Sequence, residues 1–367
     1  MVRCLVFGLH DAIGGVERYI YNYYPFLMKN GIQLDFVSPY PALALQDQFL
    51  ENGSRVFRVP NFKKNPLGYC KAIYKVLKDG QYDVAYINML SAANVLPFVI
   101  AQKAHVKRII AHSHNNDTPK GNTRKVLHFL NYRIVERLAT DYWACSREAG
   151  LWLFPDIDSK KVIIIPNAIP MASFAFSTTD RNLVRKQLNI QPYTFIFGHV
   201  GRFEDQKNHL FLVSLFERLC SVEKDAKLLL VGDGYLRPAL ESKIKQLGLD
   251  ERIILVGSTQ EVAPYYSAMD AFLFPSKFEG FGMAVLEAQI SGLPCVVSDS
   301  LPSDVNLTDI QYLSLEQHDW VNTCRQLMNQ DAPSYSDRES KYKVCLESKY
   351  SIEKAQNKLL TLLIDNA

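Results

Sequence analysis

The strongest constraint on this chain is an alternation of short apolar runs with stretches of helical spacing, which stops part-way and begins again. Residues 2–9 (VRCLVFGL), 34–38, 55–60, 84–88, 108–111, 142–145 and 162–166 are short apolar runs without strict polar alternation. Such runs suit strands buried on both faces. Between several of them, residues 16–29, 67–78, 92–103 and 123–138 carry apolar side chains at near-helical spacing. Strands alternating with helices imply a parallel, doubly wound sheet. The pattern restarts with strands at 194–201, 226–231, 253–256, 271–274 and 295–298, a helix at about 208–219 following the first. The expected fold class is therefore α/β, with two Rossmann-like halves facing a central cleft. The first domain is expected over 1–171 and the second over 172–350, with the polar stretch 172–180 as linker. A last helix is expected over about 351–367, with Ile352, Ala355, Leu359 and Leu363 along one face.

Composition narrows the function classes. A chain of 367 residues, 48% hydrophobic, can build two cores without disulfides or metals. The longest apolar stretches, such as 94–101, fall short of the roughly 20 residues that span a bilayer. The polar His10 and Asp11 end the first apolar run too early for a signal peptide. A soluble, cytoplasmic protein is expected. Its seven cysteines are scattered singly with no C-x-x-C pair, which fits a reducing compartment and argues against a zinc site. The net charge is only +3, but residues 1–170 carry a basic excess and the remainder an acidic one. The basic side chains concentrate between residues 60 and 137, so an anionic partner is expected for the first half alone. Nucleic acid is not expected to be that partner.

Two doubly wound halves could serve a dehydrogenase, yet the first strand is followed by Gly8-Leu9-His10-Asp11-Ala12-Ile13-Gly14-Gly15, which is not G-x-G-x-x-G. The acid expected about 20 residues further on is absent from a strand end, because Asp35 lies inside a strand. No P-loop pattern occurs. The richest segment is 270–298 (DAFLFPSKFEGFGMAVLEAQISGLPCVVS). There a buried strand ends near Phe274, Gly280 and Gly282 flank Phe281, and a helix starts at about Met283. Glycines let a ligand approach the backbone, and a helix N-terminus offers free N–H groups to an anion. Glu279 and Glu287 flank that helix start. Such an arrangement suits a phosphorylated ligand that also carries hydroxyls.

Glu279 and Glu287 inside FPSxxEGFGMxxLEA resemble the E-x7-E signature of the retaining family-four glycosyltransferases of GT-B fold. Other segments are similar to that family in the same order. Gly14-Gly15-Val16-Glu17 resembles its N-terminal glycine loop, and His114 stands in the place of its active-site histidine. Pro166-Asn167-Ala168 resembles P-N-G, and Gly201-Arg202 with Lys207-Asn208 resembles G-R-x4-K-[NG]. Val231-Gly232-Asp233-Gly234 resembles its V-G-x-G turn. Pro170 and Asp304 depart from residues the family often carries.

The resemblance implies a metal-independent, retaining hexosyltransferase that uses a nucleotide diphosphate sugar as co-substrate and needs no cofactor. A UDP-linked donor is expected ahead of a GDP-linked one. The implied acceptor is a hydroxyl of a glycan or lipid-linked glycan in capsule or exopolysaccharide assembly. His114, Arg202, Lys207 and Glu279 are the implied catalytic residues. Gly14, Gly15, Gly201, Gly232, Phe281, Gly282, Met283 and Glu287 are implied to bind the donor. The last helix is implied to pack back on the first domain. His112 lies two residues from His114; the two are expected to point to opposite sides, with His112 structural. A sugar-nucleotide epimerase of the same fold and a non-catalytic partner subunit remain the rival readings. Lys63, Lys64, Lys71, Lys75, Lys78, Lys120, Arg124, Lys125, Arg133 and Arg137 fall on or beside two expected helices. With the apolar Leu127, Phe129, Leu130, Ile134 and Leu138 they suggest peripheral docking on an anionic membrane.

Overall fold

A computed structural model of the chain describes residues 2–115, 122–221, 223, 226–259, 261–279, 281–308, 310–330 and 332–365. The chain divides into two compact units, Met1–Ile169 with Lys349–Ala367, and Pro170–Ser348. The first unit holds seven strands, β1 (Val2–Phe7), β2 (Ile32–Ser38), β3 (Val56–Arg58), β4 (Val84–Met89), β5 (Arg108–Ser113), β6 (Asp141–Ala144) and β7 (Val162–Ile164). They form one all-parallel sheet in the order β3-β2-β1-β4-β5-β6-β7. The second unit holds β8 (Phe195–Val200), β9 (Ala226–Val231), β10 (Ile253–Gly257), β11 (Ala271–Phe274), β12 (Cys295–Ser298) and β13 (Gln311–Leu313). These are also all parallel, in the order β10-β9-β8-β11-β12-β13.

Both sheets reverse their winding once, between β1 and β4 in the first and between β8 and β11 in the second. In a doubly wound sheet the loops leaving such a pair of strands diverge to opposite faces and open a crevice at their carboxyl ends, where ligands bind. The central strands β4, β5, β11 and β12 are buried along their whole length. That burial is why their sequences are continuous apolar runs, with helices covering both faces.

The terminal helix Ile352–Ile364 buries Ile352, Ala355, Leu359 and Leu363 in the same core cluster as Tyr23, Tyr24 and Leu27. Polar bonds anchor it to that unit. Gln356 Nε2 donates to Asn22 O (2.7 Å), Lys358 Nζ to Ile164 O (2.9 Å), and Arg108 Nη1 to Leu362 O (2.7 Å).

The structure departs from the sequence reading at three places. The stretch expected as linker holds a 3-10 turn, Met171–Phe174, and the start of the helix Thr178–Gln187. Ser177 caps that helix by accepting from Asp180 N (3.1 Å), so its polar residues are capping chemistry rather than a tether. The helix expected from residue 92 starts at Leu96, with a proline in its first turn, where the missing N–H has no intrahelical partner to lose. Strand β13 was not expected, because three residues on a sheet edge leave no periodic signal.

Candidate active site

In the first unit, Gly8 leaves β1 at φ +95, and a Cβ there would stand 2.2 Å from Asn88 O on β4. Only glycine permits this crossing at the β1/β4 reversal. The loop then folds onto the N-terminus of the helix Gly15–Lys29. Glu17 Oε1 accepts from His10 N (2.8 Å) and Glu17 Oε2 from Gly14 N (2.9 Å). Glu17 is therefore a buried loop clamp. A pocket of about 460 Å³ opens here, lined by residues 10–17 together with Leu90, His114 and Asn167. A Cβ at Gly15 would meet no atom within 4 Å. The fold does not demand glycine at that position; its bare backbone keeps the pocket open beside the helix end.

His112 and His114 lie on the same side of the sheet, with ring centroids 4.0 Å apart, which corrects the sequence reading. Strand side chains alternate with a period of two, so residues two apart share a face. The two rings have different surroundings. His112 is fully buried, with Nδ1 bonded to Tyr86 OH (2.7 Å), which in turn meets Tyr19 OH (2.8 Å). His114 lines the pocket, and its Nε2 meets Asn88 Oδ1 (2.8 Å). Burial pushes His112 well below the ordinary histidine range and His114 to about 3, so both are neutral near pH 7.

In the second unit the functional loops leave β8, β9 and β11 at their carboxyl ends. Gly232 has φ +144, and a Cβ there would lie 2.0 Å from Gly201 O. At Gly201 a Cβ would come within 3.3 Å of Lys207 Cγ. Gly232 is required by chain packing alone, whereas Gly201 is closely packed against the side chains of His199 and Lys207. The Lys207 stem thus lies over Gly201, and its Nζ sits 4.8 Å from the Phe274 ring centroid and 2.5 Å from Glu279 Oε1. Loops from the two sides of the β8/β11 reversal are tied further by Gln206. Its Nε2 donates to Phe278 O (2.9 Å), and its carbonyl accepts from Lys277 N (2.9 Å).

Arg202 differs from Lys207: its side chain is 76% exposed and, among the described residues, its ion pair is with Glu204 (3.1 Å). Beneath Lys207, His199 donates from Nδ1 to Leu273 O (2.8 Å) and lies 4.6 Å, ring to ring, from His209. Burial drives both imidazoles neutral, His209 to about 3, so neither adds charge beneath the lysine.

Gly282 caps the helix Met283–Ile290 at φ +92, with its Cβ direction blocked by Leu301. The first N–H groups of that helix have no intrahelical partner by geometry. Glu287 lies about one turn inside, where Tyr266 OH donates to its Oε2 (2.8 Å). Phe281 and Met283 flank the same helix start; Gly280 lies outside the described residues, as does Lys120. The structure thus joins Lys207 to Glu279 and gathers Gly14, Gly15 and His114 around the first-unit pocket. Sequence reasoning missed Asn88, Gln206 and Tyr266, because single polar residues without motif spacing carry no pattern.

The sequence reading also passed over one D-x-D, Asp156-Ile157-Asp158. Asp156 Oδ2 accepts from Arg133 Nε (3.1 Å), and Asp158 Oδ1 from Lys160 N (3.0 Å) at a 3-10 turn. These are roles in loop structure. Among the described residues no group of three or more His, Cys, Asp or Glu is placed to hold a metal ion.

Comparison with known proteins identifies the family. Residues 13–173 match Glycosyltransferase Family 4, and residues 194–329 match Glycosyl transferases group 1. A putative glycosyltransferase of Bacillus subtilis strain 168, EpsF, is 30% identical over 313 residues, covering 83% of this chain and 81% of that one. The chain belongs to the family-four, group 1 glycosyltransferases. This glycosyltransferase is also 28% identical over 309 residues to an Escherichia coli enzyme named UDP-Gal:alpha-D-GlcNAc-diphosphoundecaprenol alpha-1,3-galactosyltransferase, covering 79% of this chain and 78% of that one. Among solved structures, HepE of Anabaena in complex with UDP matches over 100% of both chains, with a TM-score of 0.81 at 18% identity. Two all-parallel Rossmann-like domains of this kind are the GT-B architecture.

Proposed function

We propose that this glycosyltransferase is a metal-independent, retaining hexosyltransferase that moves a sugar from a nucleotide diphosphate, UDP ahead of GDP, onto a hydroxyl of a lipid-linked glycan in capsule or exopolysaccharide assembly. The observation that carries the reading is the Lys207–Glu279 pair at the β8/β11 reversal, beside the N-terminus of Met283–Ile290. A fixed cation and a helix end together favour a diphosphate. The sugar and ribose hydroxyls would fall to Glu279 and Glu287. The UDP-Gal donor and GlcNAc-diphosphoundecaprenol acceptor in the name of the E. coli relative support this choice of donor and acceptor.

In this mechanism the bond between the anomeric carbon and the leaving phosphate oxygen breaks as the acceptor oxygen attacks from the same face. Lys207 and Arg202 take up the charge that develops on the phosphate, and the departing phosphate oxygen accepts the acceptor proton. Electrostatic stabilisation of that kind acts where charge develops, which is where it accelerates the step. A panel of nucleotide sugars tests the donor: the true one raises the melting temperature, by a stabilisation that grows with the logarithm of ligand over Kd. Turnover with that donor should survive EDTA. Activity abolished by EDTA and restored by Mn²⁺ would end the metal-free reading, and donor isomerisation without acceptor would end the transferase one.

Membrane docking is proposed for the helix Asn122–Leu138. Its Tyr132 and Val135 are buried, while Phe129 is 73% and Leu130 64% exposed, with Arg124, Lys125, Arg133 and Arg137 exposed among them. Lys63, Lys64, Lys71, Lys75 and Lys78 are exposed on and beside the helix Pro66–Gly80, whereas Leu138 packs against the core. No helix among the described residues is long and apolar enough to cross a membrane, so docking would be peripheral, on the inner face of the cell membrane. Each basic residue near an anionic surface contributes about 1 kcal/mol. In liposome flotation, binding should rise with anionic lipid and fall with salt, since exposed charges are screened within about 10 Å at 0.1 M. Phe129→Ser with Leu130→Ser should weaken it further; equal partitioning onto neutral vesicles, or none at all, refutes the docking.

A further inference from the structure

Asn88 and His114 form a rung across β4 and β5 whose hydrogen positions follow from chemistry alone. Asn88 Nδ2 donates to Phe7 O (3.0 Å), and Asn88 Oδ1 faces His114 Nε2 (2.8 Å). A backbone carbonyl can only accept, so the amide nitrogen must face Phe7. The opposite amide orientation would set two oxygens against each other. The oxygen turned toward His114 carries no hydrogen, so His114 Nε2 must supply one. A neutral imidazole holds a single N–H, which leaves His114 Nδ1 with a lone pair and no hydrogen. That atom is buried and has no hydrogen-bond partner, while His114 is among the residues that line the first-unit pocket.

We propose that Asn88 is a positioning residue: it fixes His114 as the Nε2–H tautomer, so that His114 Nδ1 accepts from a sugar hydroxyl and cannot donate to a phosphate oxygen. This rests on the proposed role of His114 as a substrate-contacting residue. A phosphate oxygen has no hydrogen to offer such an atom, whereas every sugar hydroxyl does. Asn88 is itself 6% exposed and set where β1 and β4 diverge, so its amide cannot turn without leaving Phe7 O unpaired.

The first test needs no substrate. Nitrogen NMR of the histidine-labelled wild-type protein at pH 7 should show His114 as the Nε2–H tautomer; an Nδ1–H tautomer or an imidazolium overturns the proposal. The second test is Asn88→Asp. Its carboxylate accepts the same hydrogen but favours the imidazolium, which raises the His114 pKa from about 3. Protonation then removes the Nδ1 lone pair as pH falls, so kcat/KM should gain an acid limb that approaches a tenfold loss per pH unit, one proton's dependence. His112 and Tyr19 pack against the His114 ring, and His10, Asp11 and Glu17 share the pocket. They are the same in both proteins, so a new limb belongs to the substituted pair. Asn88→Leu should lower kcat/KM without creating that limb. Profiles of the same shape for Asn88→Asp and wild type refute the positioning role. Failure of the transferase reading looks different: the wild type would turn over no donor, while the tautomer stayed readable.

Discussion

Lys207→Ala is expected to lower kcat/KM by about a hundredfold, the loss of roughly 3 kcal/mol of transition-state stabilisation by one preorganised charge. The lysine is held rather than loose. Its stem lies over Gly201, its ammonium faces the Phe274 ring at 4.8 Å, and Glu279 Oε1 stands 2.5 Å away. A cation fixed in advance needs little reorganisation when the leaving phosphate becomes charged. Lys207→Met keeps much of the packing and removes the charge, so it should lose activity nearly as fully as alanine does. Arg202→Ala should also cost activity, but less, because its side chain is 76% exposed and solvent screens it. Circular dichroism and melting curves confirm that each variant is folded. Near-normal kcat/KM in folded Lys207→Ala and Lys207→Met would overturn the assignment of the diphosphate to this loop.

Asp270→Asn is expected to destabilise the protein by about 3–5 kcal/mol, the range for breaking a buried ion pair from one side. Asp270 opens onto β11 and, among the described residues, is the one carboxylate paired with the guanidiniums of Arg181 and Arg185. Arg181 Nη2 donates to Oδ1 and Arg185 Nη2 to Oδ2, each at 2.6 Å, and Ile196 N donates to Oδ2 at 2.8 Å. Arg338, 1% exposed, lies nearby, with Nη2 donating to Met269 O and its guanidinium 4.3 Å from the Phe176 ring centroid. The asparagine amide keeps the shape, removes the counter-charge and turns an NH2 toward groups that only donate. Urea unfolding should show a lower midpoint at unchanged slope, whereas the exposed control Asp250→Asn should stay within about 0.5 kcal/mol. A midpoint for Asp270→Asn equal to that of the control would show that other contacts carry this corner of the second unit.

How much of this was legible beforehand depends on the kind of information each feature carries. Strands such as Ala226–Val231, Ala271–Phe274 and Cys295–Ser298 could be read to the residue, because burial on both faces writes itself into sequence as unbroken apolar runs. The terminal helix was equally plain, since Ile352, Ala355, Leu359 and Leu363 follow the helical period and are the residues it buries. The glycines, cations and carboxylates at fixed spacing, from which a phosphorylated, hydroxylated ligand was expected, were also visible in the sequence.

Tertiary structure alone decided which of these residues meet, and which polar neighbours hold them. Lys207 and Glu279 are 72 positions apart and become partners only because β8 and β11 are adjacent in the sheet. Asn88 and His114 meet because β4 pairs with β5 in a register that sets Asn88 opposite His112. Gly15 and Gly232 are the same residue type in similar motifs, yet one borders open pocket and the other is wedged against Gly201 O. The physical reason is common to all of these. Periodicity records whether a side chain is buried, a local and repeated property, whereas a hydrogen-bond partner or a charge partner is fixed by strand order and register, which no stretch of sequence contains by itself.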